Sequence, residues 1–393
     1  MVFAKCSLQF IFFFAIFAAK LSVPHVLEHH RLPDGEDGRM VVHVFNPDHD
    51  LALAFGKECF TPPAAGRGMR ADLAFLPAIW AEEGDVVMAD DPVMAREMAL
   101  PLRPWLADVE YVSMRDRKAK VWENAGHIEV KPWGWNLALR RQLLKAGFPE
   151  TCLPSCGQID RLRTLSHRAT SIPLLRALVA EADGMVGERE AVTHIDDLGR
   201  FVGKYGHVVL KAPWSSSGRG VRFVDEWPSS NLMGFVRNVI SRQGCIIVEP
   251  CFEKEMDFAM EFTADGKGGA RYRGLSLFHT VNAAYVGNLL ADEEEKEQML
   301  ARFLDLTMLH RVKEVVEKEV GRWCNGCYEG PFGVDMMVVR HGQGFALHPC
   351  VEVNLRRTMG HVALEMARKT GRQYRVMRVA FENGRYQLLL ETS

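Results

Sequence analysis

Short apolar runs alternate with helix-like patterns over residues 40 to about 160. Strands that alternate with helices predict an α/β domain built on a parallel sheet. Asn136 is a suitable N-cap for the last of these helices, and Gly147 a suitable stop. The predicted strands are 41–45, 85–88 and 109–112, the predicted helices are 71–82 and 137–146, and 61–68 is a predicted loop.

The pattern changes beyond residue 160, where strands follow one another directly. A Gly- and Ser-rich loop at 212–220 joins two of them. Because this loop leads into a strand, it differs from a P-loop, which leads into a helix. The predicted strands are 207–211, 221–224, 245–249, 256–263, 274–280, 333–340 and 345–353, and the predicted helices are 166–182, 232–242 and 293–320.

The N-terminus carries a short apolar run at 10–19, after Lys5. The run is too short to span a bilayer, and it resembles the apolar part of a signal peptide without a clean cleavage site. Residues 25–39 are polar. Two interpretations stay open: a secretory signal, or translation that starts at Met40. The second is favoured, and the predicted division is an extension at 1–39, an α/β domain at 40–160 and a further domain at 161–393.

Composition narrows the class of protein only slightly. The 393 residues are 48% hydrophobic and 25% charged, and the net charge of −2 gives no general attraction to nucleic acid. The nine cysteines form no disulfide pattern. Zinc would need two cysteine pairs brought together, or one pair plus histidines, and His348 and Cys350 could join Cys324 and Cys327. Reduced thiols are the favoured interpretation. The acidic run 292–295 predicts a helix start.

Candidate chemistry is concentrated near the C-terminus. Glu352 and Asn354 are two residues apart, so a strand through them would present both on one face. With Asp335 they offer two carboxylates and an amide oxygen, which are ligands that suit Mg²⁺. Arg356 follows and can clamp a phosphoryl group. Alone, this string is more often a set of solvated side chains.

A second motif lies upstream. Lys211 stands at the end of a predicted strand, before the loop that runs to Gly220. Successive backbone N–H groups in such a loop can cradle phosphate oxygens, and lysine adds a point charge. The alternative is an ordinary flexible hairpin.

Taken in order, these motifs resemble the ATP-grasp superfamily over residues 161–393. Lys211 and its loop come first, Glu249 stands at a strand end, Asp257 follows, and Asp335 precedes the Glu352–Asn354 pair. The resemblance implies an α/β fold, with an N-terminal pre-ATP-grasp-like domain at 40–160 and a two-lobed α+β ATP-grasp domain after it.

The resemblance also implies roles for single residues. ATP, with one or two Mg²⁺ ions or Mn²⁺ in their place, is the implied cofactor set. Asp257 would bind the ribose of ATP, and Glu255 is the alternative residue for this role. Arg168 stands where the family often has a phosphate-binding lysine. The implied ATP-binding residues are Arg168, Lys211, Ser215, Ser216, Ser217, Gly218, Arg219, Gly220, Glu249, Phe252 and Asp257, the implied metal ligands are Asp335, Glu352 and Asn354, and the implied catalytic residues are Lys211 and Arg356.

Substrate residues are the weakest part of the prediction. The end of the first strand favours a pocket mouth there, and polar residues between Asp257 and Asp335 favour a substrate-covering loop. The substrate candidates are Asp48, His49, Asp50, His279, Asn288 and Arg357.

Three functions stay open. The favoured one is an ADP-forming ligase that activates a carboxylate as an acyl phosphate and joins it to an amine or another nucleophile. The others are a small-molecule kinase and a non-catalytic nucleotide- or ligand-binding protein. The expected partners are small molecules, with no nucleic acid and no stable membrane span. The expected location is the cytoplasm, and the protein would be secreted or membrane-associated if 1–39 is a genuine signal. The sequence sets no oligomeric state.

Overall fold

The computed structural model describes residues 39–115, 126–215, 220–225, 227, 230–281 and 284–392. The predicted extension therefore lies almost wholly outside the described residues, as do Ser216, Ser217, Gly218 and Arg219 of the predicted loop. Within the described ranges, no helix has the length and apolar character needed to cross a membrane.

The N-terminal part is an α/β layer. Its elements are β1 (Arg39–Val44), α1 (His49–Phe55), α2 (Ala64–Asp72), β2 (Val86–Met88), α3 (Pro92–Ala99), β3 (Glu110–Val112), β4 (His127–Pro132) and α4 (Leu137–Ala146). The strands pair in parallel in the order β3-β2-β1-β4, as the alternating pattern predicts. Asn136 caps α4 by accepting from the Leu139 N–H, and Gly147 ends it with φ of 94°.

The predicted helix at 71–82 is wrong. The helix α2 ends at Asp72, and a 3₁₀ turn at Leu76–Ile79 follows. Pro77 is the reason, because it has no N–H to donate and its ring clashes with the preceding turn of a helix. A proline also marks the start of α2, since Pro63 stands just before its first residue. The predicted loop at 61–68 is thus partly helix, and β4 is a strand that the sequence prediction missed.

The middle part carries a small antiparallel sheet. Its elements are α5 (Cys156–Leu165), α6 (Ile172–Glu181), β5 (Glu190–Val192), α7 (Leu198–Tyr205), β6 (Val208–Lys211), β7 (Val221–Val224), α8 (Ser230–Gln243) and β8 (Ile246–Pro250). The strand order is β5-β8-β6-β7. Lys211 pairs with Val221, so the predicted hairpin is confirmed. Over the predicted helix at 166–182 the structure has a 3₁₀ turn at Arg168–Ser171 and then α6, and Pro173 lies in the first turn of α6.

The C-terminal part is a long antiparallel sheet. Its elements are β9 (Lys254–Asp265), β10 (Ala270–Val281), β11 (Ala284–Leu289), α9 (Glu293–Leu300), α10 (Leu306–Cys324), β12 (Glu329–His341), β13 (Gly344–Asn354), α11 (Met359–Thr370), β14 (Val376–Glu382) and β15 (Arg385–Glu391). The strand order is β13-β12-β9-β10-β11-β14-β15. The predicted helix at 293–320 is two helices, because Asp305 caps the start of α10. The acidic run does begin a helix, with Asp292 as its N-cap.

Side chains from both ends of the chain share one hydrophobic core. Phe45 and Trp133 follow β1 and β4, and they belong to the same buried cluster as Val362 of α11 and Met377 of β14. This shared core fixes the ends of β1 and β4 against the long sheet. Polar residues that follow those strands are therefore brought to the edge of a common cavity.

Candidate active site

A cavity of about 480 Å³ is lined by strands of the two antiparallel sheets and by residues of the N-terminal α/β layer. Strands β6 and β8 contribute one wall, β9 and β10 a second, and β12 and β13 a third. Many residues singled out from the sequence line it. They are Asp50, Arg168, Lys211, Ser215, Glu249, Phe252, Asp257, Asn288, Asp335, Glu352, Asn354 and Arg356.

The basic wall is built around Glu249. Lys211 is the last residue of β6, and its Nζ lies 2.6 Å from Oε2 of Glu249 on the neighbouring strand β8. Nε of Arg189 lies 2.5 Å from the other carboxylate oxygen. Burial alone would raise the pKa of Glu249, but the charges of Arg189 and Lys211 lower it to about 2. Burial lowers the pKa of Lys211 in spite of this partner. The carboxylate therefore stays ionised and holds the lysine at the cavity wall.

Arg189 is a site residue that sequence reasoning missed. It is 2% exposed, and besides Glu249 it donates to the Ser171 hydroxyl at 2.5 Å and to the Val351 carbonyl at 2.6 Å. These partners come from three separate segments of the chain. In the sequence Arg189 is one charged residue among several in a loop, so only the three-dimensional pairing identifies it.

Arg168 joins the basic wall to the acidic one. Its guanidinium donates to the Ser215 hydroxyl at 2.8 Å and to Oε1 of Glu352 at 2.7 Å. It also donates to the carbonyl of Ala212 at the start of the loop. The side chain is buried, so these bonds hold the loop entrance against β13. Gly220 closes the loop with its carbonyl accepting from the Ala212 N–H at 2.8 Å.

The acidic wall lies on the hairpin of β12 and β13. Asp335 and Glu352 are register partners on the two strands. The amide of Asn354 donates to Oδ2 of Asp335 at 3.1 Å. Burial, followed by the charges of Glu352 and Glu261, raises the pKa of Asp335 to about 8. Crowded carboxylates with an amide oxygen beside them are a donor set that fits a hard divalent cation.

Arg356 lies two residues beyond the end of β13. Its side chain still reaches the same group, because Nη2 donates to Oδ1 of Asn354 at 3.1 Å. Nε donates to Oδ1 of Asp50 at 2.8 Å. Burial acts to lower the pKa of Arg356, but Asp50 raises it overall. An aspartate from α1 thus aims an arginine from the far end of the chain into the cavity.

The remaining walls are mostly apolar. Phe252 follows β8, and Phe278, Met336 and Met337 also line the cavity. Sequence reasoning missed the last three, whose apolar side chains are indistinguishable in sequence from core residues.

Asp257, rather than Glu255, faces the cavity. The carboxylate of Asp257 accepts from Nζ of Lys254 at 2.5 Å and from the Thr280 hydroxyl. Glu255 does not line the cavity and instead pairs with Arg340 at 2.9 Å.

A buried polar network closes the floor. The Thr358 hydroxyl donates to Oε1 of Glu261 at 2.8 Å, and Nδ1 of His361 lies 2.9 Å from Oε2 of the same carboxylate. Nearby, the amide of Asn288 donates to the Ser276 hydroxyl at 2.8 Å. Of this network, the sequence prediction named only Asn288.

Four predicted substrate residues do not line this cavity. His49 is buried beneath Gly134, and burial lowers its pKa to about 4. Asp48 is buried as well, and burial raises its pKa. His279 is exposed on β10, and Arg357 lines a different cavity. Of the three substrate candidates at the first strand end, only Asp50 lines this cavity.

The zinc interpretation gains no support in the described part of the chain. No group of three or more His, Cys, Asp or Glu side chains there is arranged to hold a metal ion. Cys324 and Cys350 are buried, and burial raises their thiol pKa values to about 12 and about 11. A divalent cation at the acidic wall would have two carboxylates and the Asn354 amide as its protein ligands.

No protein-family model and no curated protein matches this chain. Solved structures do. Biotin carboxylase from Campylobacter jejuni is 14% identical, with 84% of this chain and 69% of that chain covered and a TM-score of 0.50. N5-carboxyaminoimidazole synthetase from Staphylococcus aureus is 14% identical, with 87% and 82% covered and a TM-score of 0.45. The biotin carboxylase domain of the Hydrogenobacter thermophilus 2-oxoglutarate carboxylase is 13% identical, with 85% and 70% covered and a TM-score of 0.45.

The chain has the ATP-grasp fold, with an N-terminal α/β layer before the two-lobed part. The likeness to biotin carboxylase carries this conclusion, and it confirms the fold that the sequence resemblance implied. At this identity the likeness defines a fold, and the chemistry rests on the residues of the cavity.

Proposed function

We propose that the protein is a Mg²⁺-dependent ATP-grasp ligase that activates a carboxylate and releases ADP. One observation carries the proposal. A single cavity in this fold sets the cations Lys211 and Arg168 against the oxygen ligands of Asp335, Glu352 and Asn354. Phosphoryl transfer needs positioning and charge neutralisation more than a covalent nucleophile, and this cavity offers both.

ATP would lie along the cavity with its phosphates toward the two charged walls. Lys211, Arg168 and the Ser215 hydroxyl would hold phosphate oxygens, and Asp257 would hold the ribose. The segment after β8, at Phe252, would support the adenine. The similar biotin carboxylase from Campylobacter jejuni is a complex with a β,γ-ATP compound, which supports a nucleotide as the ligand.

Asp335, Glu352 and Asn354 would hold one or two Mg²⁺ ions. The bound ion would neutralise phosphate charge as ADP leaves. Glu352 already accepts from Arg168, so the arginine keeps this ligand oriented toward the phosphates.

Arg356 would steady the transferring phosphoryl group, and Asp50 would hold Arg356 in place. A substrate carboxylate oxygen would attack the γ-phosphorus, and the bond to the bridging oxygen of ADP would break. An amine nitrogen would then attack the acyl carbon, lose a proton, and expel phosphate. A requirement for ATP fits a cytoplasmic protein.

The test is an ADP-release screen against pooled amino acids and small carboxylates, with mass spectrometry of the products. The proposal expects Mg²⁺-dependent ADP release together with a conjugate whose mass is the sum of two substrates less water. A stable phosphorylated substrate with no conjugate would show a kinase and overturn the ligase assignment. Turnover that is unchanged in both Lys211→Ala and Glu352→Ala would overturn the site.

A further inference from the structure

A second cavity, of about 1380 Å³, is lined by Arg357, the residue that follows Arg356 in the sequence. Arg356 lines the first cavity, whereas Arg357 lines the second, and the two share no lining residue. Strands β1 and β4 line one side of the second cavity, and β10, α9 and α11 also contribute to it. The proposed ATP-dependent chemistry uses none of these residues.

Arg357 is a partly buried cation in the lining of this cavity. Its guanidinium carbon lies 4.3 Å from the centroid of the Trp80 ring, and the side chain is partly buried. Among the described residues, its guanidinium has neither a hydrogen-bond acceptor nor an ion-pair partner. Burial lowers its pKa to about 10 against the charges of Glu365 and Glu261, and the charge of Arg273 acts in the same direction as burial. A partly buried cation with no anion in direct contact is a costly arrangement unless something binds to it.

Arg273, on β10, lines the same cavity and is also without an ion-pair partner in the described part of the chain. Other arginines of the cavity are paired: Arg372 lies 3.1 Å from Asp292, and Arg368 lies 2.5 Å from Glu365. The uncompensated positive charge is therefore concentrated at the two arginines whose charges act on each other.

We propose that this second cavity binds a small oxyanion, a carboxylate or a phosphate, between Arg357 and Arg273. The planar donor forks of arginine match both groups, and the Trp80 ring holds one fork in place. A bound anion would remove the repulsion between the two cations and replace the water that burial excludes from Arg357. The proposal concerns a different cavity from the ATP site and stands whether or not that site is catalytic.

Isothermal titration of the full chain with inorganic phosphate, and separately with succinate, tests the proposal and separates the two sources of the anion. Wild-type protein should bind at least one of the two probes. Arg357→Met and Arg273→Met should each weaken that binding by about tenfold or more, because each removes a charge-assisted contact. Arg273 is exposed, so its variant decides the matter even if Arg357→Met fails to fold.

Two control variants make the test specific. Arg372→Met removes the same charge from the same cavity, but from a guanidinium that already has Asp292 as partner. Lys204→Ala removes an exposed lysine that pairs with Glu188 and lines neither cavity. Both should keep wild-type affinity for the probe. The proposal is overturned if wild-type protein binds neither probe, or if a control variant weakens binding as much as Arg273→Met does.

Discussion

At the scale of single residues, the cavity depends on charges that the fold forces together. Glu249 is 4% exposed and lies between Arg189 and Lys211. Removing one member of such a buried group leaves the others uncompensated, so the effects of substitution are large. Lys211 and Glu249 could be named from the sequence because each stands at a strand end. Arg189 could not, because its partners are distant in sequence.

Lys211→Ala should lower Mg²⁺-dependent ATP turnover by about a hundredfold or more, because it removes a cation placed for the phosphates. ADP release measures the effect. Lys204→Ala is the matched control, since Lys204 is an exposed lysine that pairs with Glu188 on the surface. Equal turnover in the two variants would contradict the role given to Lys211.

Because of Glu249, the free energy of unfolding should depend on pH in the acid range. Its pKa is about 2 in the folded protein, against an ordinary value of 4.5, so the ionised group stabilises the fold above about pH 4.5. That contribution, on the order of 3 kcal/mol, is lost as the pH falls toward 2. The free energy of unfolding of Glu249→Gln should therefore lie below wild type at neutral pH and approach it in acid. Chemical denaturation at several pH values measures the gap, and a constant gap would count against the buried ion group.

Arg356→Ala should lower the rate of turnover more than it weakens ATP binding, because the arginine is placed for the transferring group. Steady-state kinetics and ATP titration separate the two effects. Asp50→Asn keeps the size of the side chain but removes the charge that holds Arg356. It should therefore also lower the rate of turnover, but by a smaller factor than Arg356→Ala does. A loss confined to ATP affinity in Arg356→Ala would assign the residue to binding instead.

At the scale of elements, the hairpin of β12 and β13 creates the acidic wall. Asp335 and Glu352 are 17 residues apart in sequence but directly opposite in register. Periodicity predicted both strands, and hence this pairing. The helices were predicted less well, because Pro77, Pro173 and the Asp305 cap interrupt patterns that look continuous when only apolar spacing is considered.

Helix α11 packs tightly against β9 and offers a direct test of that packing. A Cβ at Gly360 would collide with the buried Glu261 carboxylate and approach the Ser276 hydroxyl to 2.7 Å. Glu261 cannot easily move, since it is buried and the Thr358 hydroxyl donates to it. Gly360→Ala should therefore destabilise the fold by about 1–3 kcal/mol.

Gly203→Ala is the matched control for that exchange. Gly203 lies in helix α7, and a Cβ there meets nothing within 4 Å. Alanine should hold or raise stability at this position, by roughly 0.5–1 kcal/mol, because it has less backbone freedom to lose. If thermal unfolding showed the two variants to be equally stable, the close packing of α11 would be wrong.

At the scale of the whole molecule, the order of the motifs along the sequence was the observation that predicted the fold. Lys211, Glu249, Asp257, Asp335 and Glu352 appear in sequence in the order of the ATP-grasp resemblance, and the structure brings them to one cavity. The substrate residues were predicted less accurately. The position of a strand end fixes where the backbone lies but not the direction in which each side chain points. Asp50 turns into the cavity, whereas Asp48 and His49 turn into the core. The boundary at residue 160 stays a prediction.

The most direct test of the central claim is a calorimetric titration of the full chain with a non-hydrolysable ATP analogue, with and without Mg²⁺. The account predicts binding that Mg²⁺ strengthens in wild type, and loss of that Mg²⁺ dependence in Glu352→Gln. Absence of nucleotide binding, or an equal response to Mg²⁺ in both proteins, would contradict it.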